Sequence, residues 1–262
     1  MLEGRVVVIT GAGGGIGSAT AALFVASGAA VVLVDIEGGP VSALGQRLGD
    51  AAHVVVGDAA DDRVAALAAT TAVDAFGGLD AVVNSAGTTA DGTLHDLPDD
   101  RWAAVQHACV TTTLVTTRAC VALMRELAKV ELTADGPPRH RAVVGTAAAS
   151  WWTGSPGQAN LTAAGGAVVG LFRTLARELG GFGITANTVA HGFIDTRLTA
   201  PLAAAGGYGV AEPLRQMTKA MTALGRHGTP DDVARVHRFL ASTDAAFVTG
   251  AVIPVTGGLL GT

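Results

Sequence analysis

The sequence predicts a single-domain α/β fold over residues 1–262, with a doubly wound parallel sheet of seven strands. Short, nearly apolar, β-branched segments recur along the chain, as expected of strands covered on both faces. Ala-rich stretches of helical length separate them, and strands that alternate with helices form parallel sheets with right-handed crossovers. The predicted strands are Val6–Ile9, Val31–Val34, Val54–Val56, Ala81–Val83, Ala142–Val144, Ile184–Val189 and Val252–Val255. The main predicted helices are Ser18–Ala26, Arg63–Phe76, Trp102–Glu131 and Thr162–Leu179.

The composition excludes several classes of protein. Hydrophobic residues make up 49% and charged residues 15%, so the chain has the apolar surface for a large core. A net charge of -5 argues against a nucleic-acid-binding surface. No apolar run approaches the roughly 20 residues of a membrane span, and no signal peptide precedes the first strand. We therefore expect a cytoplasmic protein with neither nucleic acid nor membrane as partner.

The two cysteines are expected to be free thiols. Cys109 and Cys120 fall 11 residues apart in one predicted helix. At about 1.5 Å rise per residue they lie roughly 16 Å apart, which is too far for a disulfide. Free thiols agree with a reducing compartment, and no metal site is predicted.

Two segments interrupt the alternation of strands and helices. Thr133–Arg141 is polar and contains proline, which predicts a surface loop. Thr199–Met221 combines apolar residues with Gly206, Gly207 and Gly209. A flexible, partly apolar segment at the carboxyl edge of a parallel sheet is a candidate substrate lid. A mobile surface loop is the alternative interpretation.

A glycine-rich turn follows the first strand. It has the sequence Thr10-Gly11-Ala12-Gly13-Gly14-Gly15-Ile16-Gly17 and leads directly into a helix. Glycine allows the positive φ of a tight turn, and its missing Cβ lets a diphosphate approach the backbone. Free N–H groups at the start of the helix then bind the anion. Because a strand precedes the turn and a helix follows it, the pattern predicts a Rossmann-type dinucleotide-binding fold.

An acidic residue ends the second predicted strand. Asp35 is placed to accept hydrogen bonds from an adenosine ribose. Its carboxylate would repel a 2′-phosphate, and no Arg lies beside it. The sequence therefore favours NAD over NADP, with an ordinary loop carboxylate as the alternative interpretation of Asp35.

Several further motifs resemble the short-chain dehydrogenase/reductase family over essentially the whole chain. The glycine turn matches the family spacing TGxxxGxG, and Asn84-Ser85-Ala86-Gly87 resembles its NNAG motif with the second Asn changed. His191-Gly192-Phe193-Ile194-Asp195-Thr196 resembles its nicotinamide-binding segment, with His in place of Pro. Further matches are Asp58, Pro156–Asn160, Leu224–Arg226, Thr229–Ala234, Phe239–Ser242 and Gly257–Gly258. The resemblance implies cofactor contacts from Thr10, Gly11, Gly15, Ile16, Gly17, Asp35, Asp58, Asn84, Ala86, Gly87, Ile194 and Thr196.

The departures from the family pattern concern catalysis. The family uses a Tyr as proton donor or acceptor, a Lys four residues later, a Ser thirteen residues before the Tyr, and an Asn in the fourth helix. Pro156–Asn160 sets the register, which gives Leu161, Gly165, Ala148 and Cys109 at these four positions. The only tyrosine is Tyr208, in the presumed lid. No catalytic residue is therefore assigned.

Three functions are compatible with this pattern. The first is an NAD(H)-binding homologue that serves as the non-catalytic subunit of a heteromeric oxidoreductase, in a heterotetramer with an active subunit. The second is an enzyme rebuilt around His191 or Cys109, with Thr146, Ser150 and Asp195 nearby, acting on a carbonyl or hydroxy substrate. The third is a dinucleotide-responsive binding module. Without the Lys ammonium, cofactor binding is expected to weaken.

Two pairs of unusual residues, Gly165–Gly166 and Trp151–Trp152, lie at or near the positions of the missing catalytic residues. Gly165 and Gly166 each cost a helix roughly 1 kcal/mol relative to Ala. Close packing of another backbone or ligand against the helix would explain that cost. In the resembled family this helix packs against a second subunit, so an oligomer is expected. Trp151 and Trp152 lie next to the predicted crevice, where they either fill it or line it for a flat ligand; filling is slightly favoured.

Overall fold

The computed structural model describes residues 1–133, 138–202 and 209–259. One sheet of seven parallel strands runs through these residues, in the order β3-β2-β1-β4-β5-β6-β7. This confirms the predicted fold class. The strands are β1 Val6–Thr10, β2 Ala30–Asp35, β3 Ala52–Val56, β4 Ala81–Asn84, β5 Arg141–Ala148, β6 Ile184–His191 and β7 Val252–Val255.

Helices cover both faces of the sheet. Their bounds are α1 Gly15–Ala26, α2 Gly38–Leu48, α3 Asp62–Phe76, α4 Asp99–Gln106, α5 Thr112–Thr133, α6 Ser150–Thr153, α7 Ala159–Leu179, α8 Glu212–Met221 and α9 Pro230–Ala241. Helices α1, α2 and α9 pack on one face, around Phe24, Leu44 and Leu240. Helices α3, α5 and α7 pack on the other, around Met124 and Phe172. Two apolar layers thus bury the strands on both faces.

The strand order places a ligand crevice at one edge of the sheet. Strand β1 has β2 on one side and β4 on the other, so the chain reverses its direction of winding at β1. In open α/β sheets, ligands bind outside the carboxyl ends of the strands at this reversal. Thr10 and Asn84 are paired there, at the carboxyl ends of β1 and β4.

The predicted helix Trp102–Glu131 is wrong in one respect. The structure has α4 and α5, joined by a turn of π-helix at His107–Thr111. Hydroxyls of the following turn bond back into it, because Thr112 donates to the His107 carbonyl at 3.1 Å and Thr113 to the Cys109 carbonyl at 2.7 Å. Single π turns are frequent at functional sites, and this one contains Cys109.

The two interrupting segments are described in part. Thr133 still belongs to α5 and Arg141 already begins β5, so the predicted loop is shorter at both ends, and residues 134–137 lie outside the described residues. The presumed lid contains α8, a helix that the sequence did not predict. Gly206, Gly207 and Tyr208 lie outside the described residues.

Two further observations bear on the predictions made from composition. No helix in the described part of the chain combines the length and apolarity needed to cross a membrane. Cys109 and Cys120 are both free thiols, and Cys120 is fully buried between the β-sheet and its helices.

Candidate functional site

The glycine-rich turn is shaped by close backbone packing at the carboxyl end of β1. Gly11 has a φ of +66° and lies against the loop after β4, where an added Cβ would stand 2.6 Å from the Ala86 backbone. A Cβ on Gly17 would collide with the Gly11 carbonyl oxygen. The amide of Ala86 donates to the Thr10 hydroxyl at 3.4 Å. The turn therefore brings Thr10, Gly11, Gly17 and Ala86 together.

The turn ends at an uncapped helix start. Gly14 is the N-cap residue of α1 and offers no side-chain hydrogen bond to the first amides. The first N–H groups of a helix have no intrahelical acceptor. Together with the helix dipole, those of Gly15, Ile16 and Gly17 form a place for an anion.

Asp35 lies beside this turn, at the carboxyl end of β2. Its Oδ2 accepts from the Gly13 amide at 2.8 Å, and its Oδ1 accepts from the Glu37 amide at 2.8 Å. Each carboxylate oxygen can accept a second hydrogen bond. Asp35 is thus oriented by the backbone and retains capacity for a ribose hydroxyl.

The segment after β6 packs on the other side of the turn. A Cβ on Gly15 would lie 2.8 Å from Cγ2 of Thr196, so only a glycine leaves room there. Ile194 is buried and pairs with Gly228 in an isolated β-bridge. Thr196 and Gly15, which are 181 residues apart in the chain, therefore meet at one end of the crevice.

Asp58 lies at the carboxyl end of β3 and contacts the π turn. Its Oδ2 lies 2.7 Å from Nε2 of His107, and its Oδ1 accepts from the Ala60 amide at 2.9 Å. Burial opposes ionisation of Asp58, but the hydrogen bonds from His107 and Ala60 outweigh it and lower the pKa of the carboxyl. The contact of Asp58 with His107 was not predicted from the sequence.

Asn84 provides a test of whether a dinucleotide fits. Its side chain is buried, and Nδ2 donates to the Thr117 hydroxyl at 3.0 Å. Its Oδ1 is buried without a partner among the described residues. An orphaned buried acceptor is costly and fits a donor supplied by a ligand. With the close glycine turn and the uncapped α1, it makes this crevice suitable for NAD(P)(H).

Gly87 and Thr88, in the loop after β4, lie against Cys109, which stands where the resembled family has Asn. A Cβ on Gly87 would lie 3.4 Å from Sγ of Cys109. The Cys109 thiol donates to the Thr88 carbonyl at 3.8 Å. Burial raises the pKa of the Cys109 thiol. A protonated thiol that donates a hydrogen bond to a carbonyl is a poor nucleophile.

The Ser position of the family pattern lies at the end of β5. Ala148 is paired with His191 at the end of β6. Nδ1 of His191 lies 3.0 Å from the Gly192 carbonyl, which can only accept, so Nδ1 carries the proton when the ring is neutral. Burial lowers the pKa of His191, which favours the neutral ring. This histidine offers an acceptor nitrogen but no acidic proton to a developing alkoxide.

The Tyr and Lys positions lie one helical turn apart at the start of α7. Leu161 donates its amide to Oδ1 of the buried Asn160, which fixes this turn. Gly165 is packed tightly: a Cβ there would lie 3.0 Å from Cβ of Trp151 and 3.3 Å from the Ala148 carbonyl oxygen. The close packing expected at the glycine pair is therefore found at Gly165. At Gly166, an added Cβ meets nothing within 4 Å.

The positions of the two tryptophan side chains do not agree with the slightly favoured prediction that both fill the crevice. Trp152 is 63% exposed, so it does not fill it. Trp151 is half-buried against α7, with the Arg173 guanidinium 6.0 Å from its ring centroid. The bulky side chain at 151 thus packs against α7 beside Gly165.

A buried histidine near the crevice was not predicted. His237 on α9 lies 3.0 Å from the Thr20 hydroxyl through Nδ1 and 3.1 Å from the Thr146 hydroxyl through Nε2. Thr20 already donates to the Ile16 carbonyl at 2.8 Å, so it accepts from Nδ1. Burial, followed by the effect of His191, lowers the pKa of His237 to about 3. No periodic signal distinguishes such a residue from a surface histidine.

Helix α8 of the presumed lid is attached to the segment after β6. Arg215 bonds to Asp195 at 2.8 Å and lies over the ring of Phe193, 5.6 Å from its centroid. His227 lies 3.3 Å from Asp195 and stacks on Phe193 with ring centroids 4.4 Å apart. These contacts place α8 next to the predicted nicotinamide-binding segment. Whether it acts as a lid stays a prediction.

Comparisons with known proteins agree with this geometry. The family model described as enoyl-(acyl carrier protein) reductase matches residues 11–260. The chain is 33% identical to the 3-oxoacyl-[acyl-carrier-protein] reductase FabG of Thermotoga maritima, over 99% of each chain. It is 35% identical to (2S)-[(R)-hydroxy(phenyl)methyl]succinyl-CoA dehydrogenase subunit BbsD of Thauera aromatica, over 98% of this chain and 97% of that one.

Solved structures agree as well. A 3-ketoacyl-(acyl-carrier-protein) reductase of Brucella melitensis, complexed with NADH, matches with a TM-score of 0.87 at 26% identity over 99% of both chains. A short-chain dehydrogenase/reductase of the same organism matches with a TM-score of 0.86 at 30% identity, over 98% of this chain and 97% of that one. From these matches and the site, the chain belongs to the short-chain dehydrogenase/reductase family of oxidoreductases.

Proposed function

We propose that this chain binds NAD(H), lacks the catalytic tetrad of its family, and serves as the non-catalytic subunit of a heteromeric short-chain dehydrogenase. The observation that carries the proposal is the packing of Gly165. A Cβ at this position would lie 3.0 Å from Cβ of Trp151 and 3.3 Å from the Ala148 carbonyl oxygen, so any larger residue there requires its neighbours to shift. The position that the family pattern gives to Lys is therefore occupied by a tightly packed glycine.

The missing groups have a large expected effect on rate. Hydride transfer to a carbonyl builds negative charge on the oxygen, and a positioned acid contributes roughly 10²–10⁴ in rate. A hydrogen-bond donor to that oxygen contributes about 10²–10³. Leu161 and Ala148 supply neither, and the neutral His191 has no proton to spare. NAD(H) would be held by the glycine turn, Asp35, Asp58, Asn84 and Thr196, and would supply the hydride in an active relative.

The heteromeric part of the proposal has two supports. One relative is named as a subunit of a dehydrogenase, at 35% identity over nearly the whole chain. Helix α7 also exposes a face of small residues, formed by Ala163, Gly166, Ala167 and Gly170, of the kind that lets another backbone approach closely. The proposed partner is an active short-chain dehydrogenase subunit, and the expected assembly is a heterotetramer.

Co-purification tests the assembly. The chain would be co-expressed with each short-chain dehydrogenase of its own organism that has the complete catalytic tetrad, with an affinity tag on one chain only, and the mass of the product would be measured by light scattering. A stable mixed complex supports the proposal; two separate homo-oligomers contradict it. Gly166→Trp would disrupt the complex, whereas Phe247→Ser, at an exposed side chain outside α7, serves as the control.

An enzyme rebuilt around Cys109 or His191 is the competing function. Burial raises the pKa of the Cys109 thiol and disfavours it as a nucleophile, so His191 is tested first, as a base. If any turnover is found in the isolated chain, His191→Ala would abolish it under the competing function. Turnover that His191→Ala leaves unchanged would contradict the competing function.

A further inference from the structure

An ion pair joins two loops that lie on opposite sides of the glycine-rich turn. Nη2 of Arg197 lies 2.7 Å from Oε1 of Glu37, and Nη1 lies 3.2 Å from Oε2. The geometry is bidentate, which favours a defined orientation of both side chains. Glu37 belongs to the connection between β2 and α2, and Arg197 follows the segment after β6, 160 residues later.

The contacts of the glycine-rich turn indicate where this ion pair lies. On one side, a Cβ on Gly13 would lie 3.2 Å from Oδ2 of Asp35. On the other, a Cβ on Gly15 would lie 2.8 Å from Cγ2 of Thr196. Glu37 is two residues beyond Asp35, and Arg197 directly follows Thr196. The pair therefore spans the Gly13–Gly15 turn, beside the uncapped start of α1.

We propose that the Glu37–Arg197 pair is a clasp over the diphosphate groove of the dinucleotide site. When a dinucleotide binds, Arg197 exchanges its carboxylate partner for diphosphate oxygens, and Glu37 stays beside the adenosine ribose, where it discriminates against a 2′-phosphate. This inference rests on the dinucleotide binding in the proposed function. It adds one binding residue and one specificity residue that the sequence did not indicate.

The chemistry of the two side chains permits this exchange. The side chains are exposed, 60% for Arg197 and 47% for Glu37, so their attraction is weakened by solvent and the pair is readily exchanged. A guanidinium offers the same forked pair of donors to phosphate as to carboxylate. Glycine amides and the start of α1 would hold the other diphosphate oxygens.

The exchange also explains how an arginine near Asp35 is compatible with a preference for NAD. The sequence shows no Arg beside Asp35, but the fold brings Arg197 to its neighbour Glu37. With Arg197 on the diphosphate, the ribose edge faces the carboxylates of Asp35 and Glu37. A 2′-phosphate would meet two negative charges there, and specificity of this kind comes from repulsion.

Calorimetric titration with NADH and with NADPH tests both roles. Arg197→Met should raise the Kd of both dinucleotides about tenfold, because the diphosphate is common to them. Glu37→Gln should leave the Kd of NADH within about twofold and lower the ratio of the NADPH to the NADH Kd about tenfold. Lys129→Met, which removes one exposed cation paired with Glu126 on α5, is the matched control.

Four outcomes separate the inference from the proposed function. Shifts of the predicted pattern, with melting temperatures unchanged, support the clasp. A Kd for NADH in Arg197→Met equal to that in Lys129→Met overturns it, and so does an Arg197→Met effect confined to NADPH. If the unaltered protein binds neither dinucleotide, the dinucleotide-binding part of the proposed function fails, and the clasp fails with it.

Discussion

Gly165 and Trp151 are packed so closely that a Cβ on the glycine would lie 3.0 Å from Cβ of the tryptophan. Gly165 stands at the Lys position of the family pattern, and Trp151 belongs to α6, which follows the strand carrying the Ser position. The residues in this corner are therefore in direct contact, and a larger side chain at position 165 alone would create strain.

A pair of alanine variants measures this coupling. Gly165→Ala gains helix propensity of about 1 kcal/mol, but overpacking against Trp151 and Ala148 costs about 1–3 kcal/mol. Gly166→Ala gains the same propensity and meets no neighbour. We expect Gly166→Ala to be more stable than Gly165→Ala by about 2 kcal/mol, measured by urea unfolding. Equal stability of the two variants would show that Gly165 is not tightly packed.

The buried histidine on α9 predicts a loss of stability in mild acid. The pKa of His237 falls to about 3 in the folded chain, from the ordinary histidine value of 6.5. Above pH 6.5 the ring is neutral in both the folded and the unfolded chain. Below it the unfolded chain takes up the proton first, so stability declines as the pH falls from 6.5 towards 3. The slope from this one group is about 1.4 kcal/mol per pH unit.

His237→Gln isolates that contribution. Unfolding free energies at pH 7.5 and pH 5.5 should differ by about 1.4 kcal/mol less in this variant than in the unaltered protein. His140, whose pKa burial also lowers, to about 4, adds an acid-dependent loss that is common to both proteins. His53→Gln, on the exposed side of β3, is the control and should leave the difference unchanged. The same pH dependence in His237→Gln and the unaltered protein would reject the assignment.

The contacts of Arg215 predict how firmly α8 is held. Its side chain is 13% exposed and bonds to Asp195. Hydrogen bonds to charged groups contribute about 1.5–3 kcal/mol. Arg215→Met should therefore accelerate amide hydrogen exchange in α8 by about tenfold or more. Arg118→Met, which removes an exposed pair with Asp62, should not affect α8; equal exchange rates in the two variants would show that other contacts hold the helix.

Much of the fold could be predicted from the sequence because its signal is periodic and local. Buried parallel strands leave apolar segments such as Val31–Val34, and the glycine turn needs backbone conformations that only glycine adopts readily. Helix α2 was missed because its start, Gly38-Gly39-Pro40, has low helix propensity. The π turn at His107–Thr111 was missed because it inserts within a helical pattern without changing its composition.

The rest of the site depends on contacts between distant residues. Glu37 and Arg197, or His237 with Thr20 and Thr146, have no pattern in the sequence that pairs them. The absence of the four catalytic residues stays a prediction, which depends on the register set by Pro156–Asn160. The contact between Trp151 and Gly165 could not be predicted, because it depends on how α6 packs against α7.

The rate of a mixed complex tests the central claim most directly. The chain would be co-assembled with the dehydrogenase that co-purifies with it, in which the partner's catalytic tyrosine is replaced by phenylalanine. NADH oxidation would be followed with a substrate that the unaltered partner reduces. We predict that turnover falls by about 10²–10⁴, as far as in the partner alone, because Leu161 supplies no proton. A mixed complex that keeps a large fraction of its turnover would show that this chain catalyses hydride transfer itself.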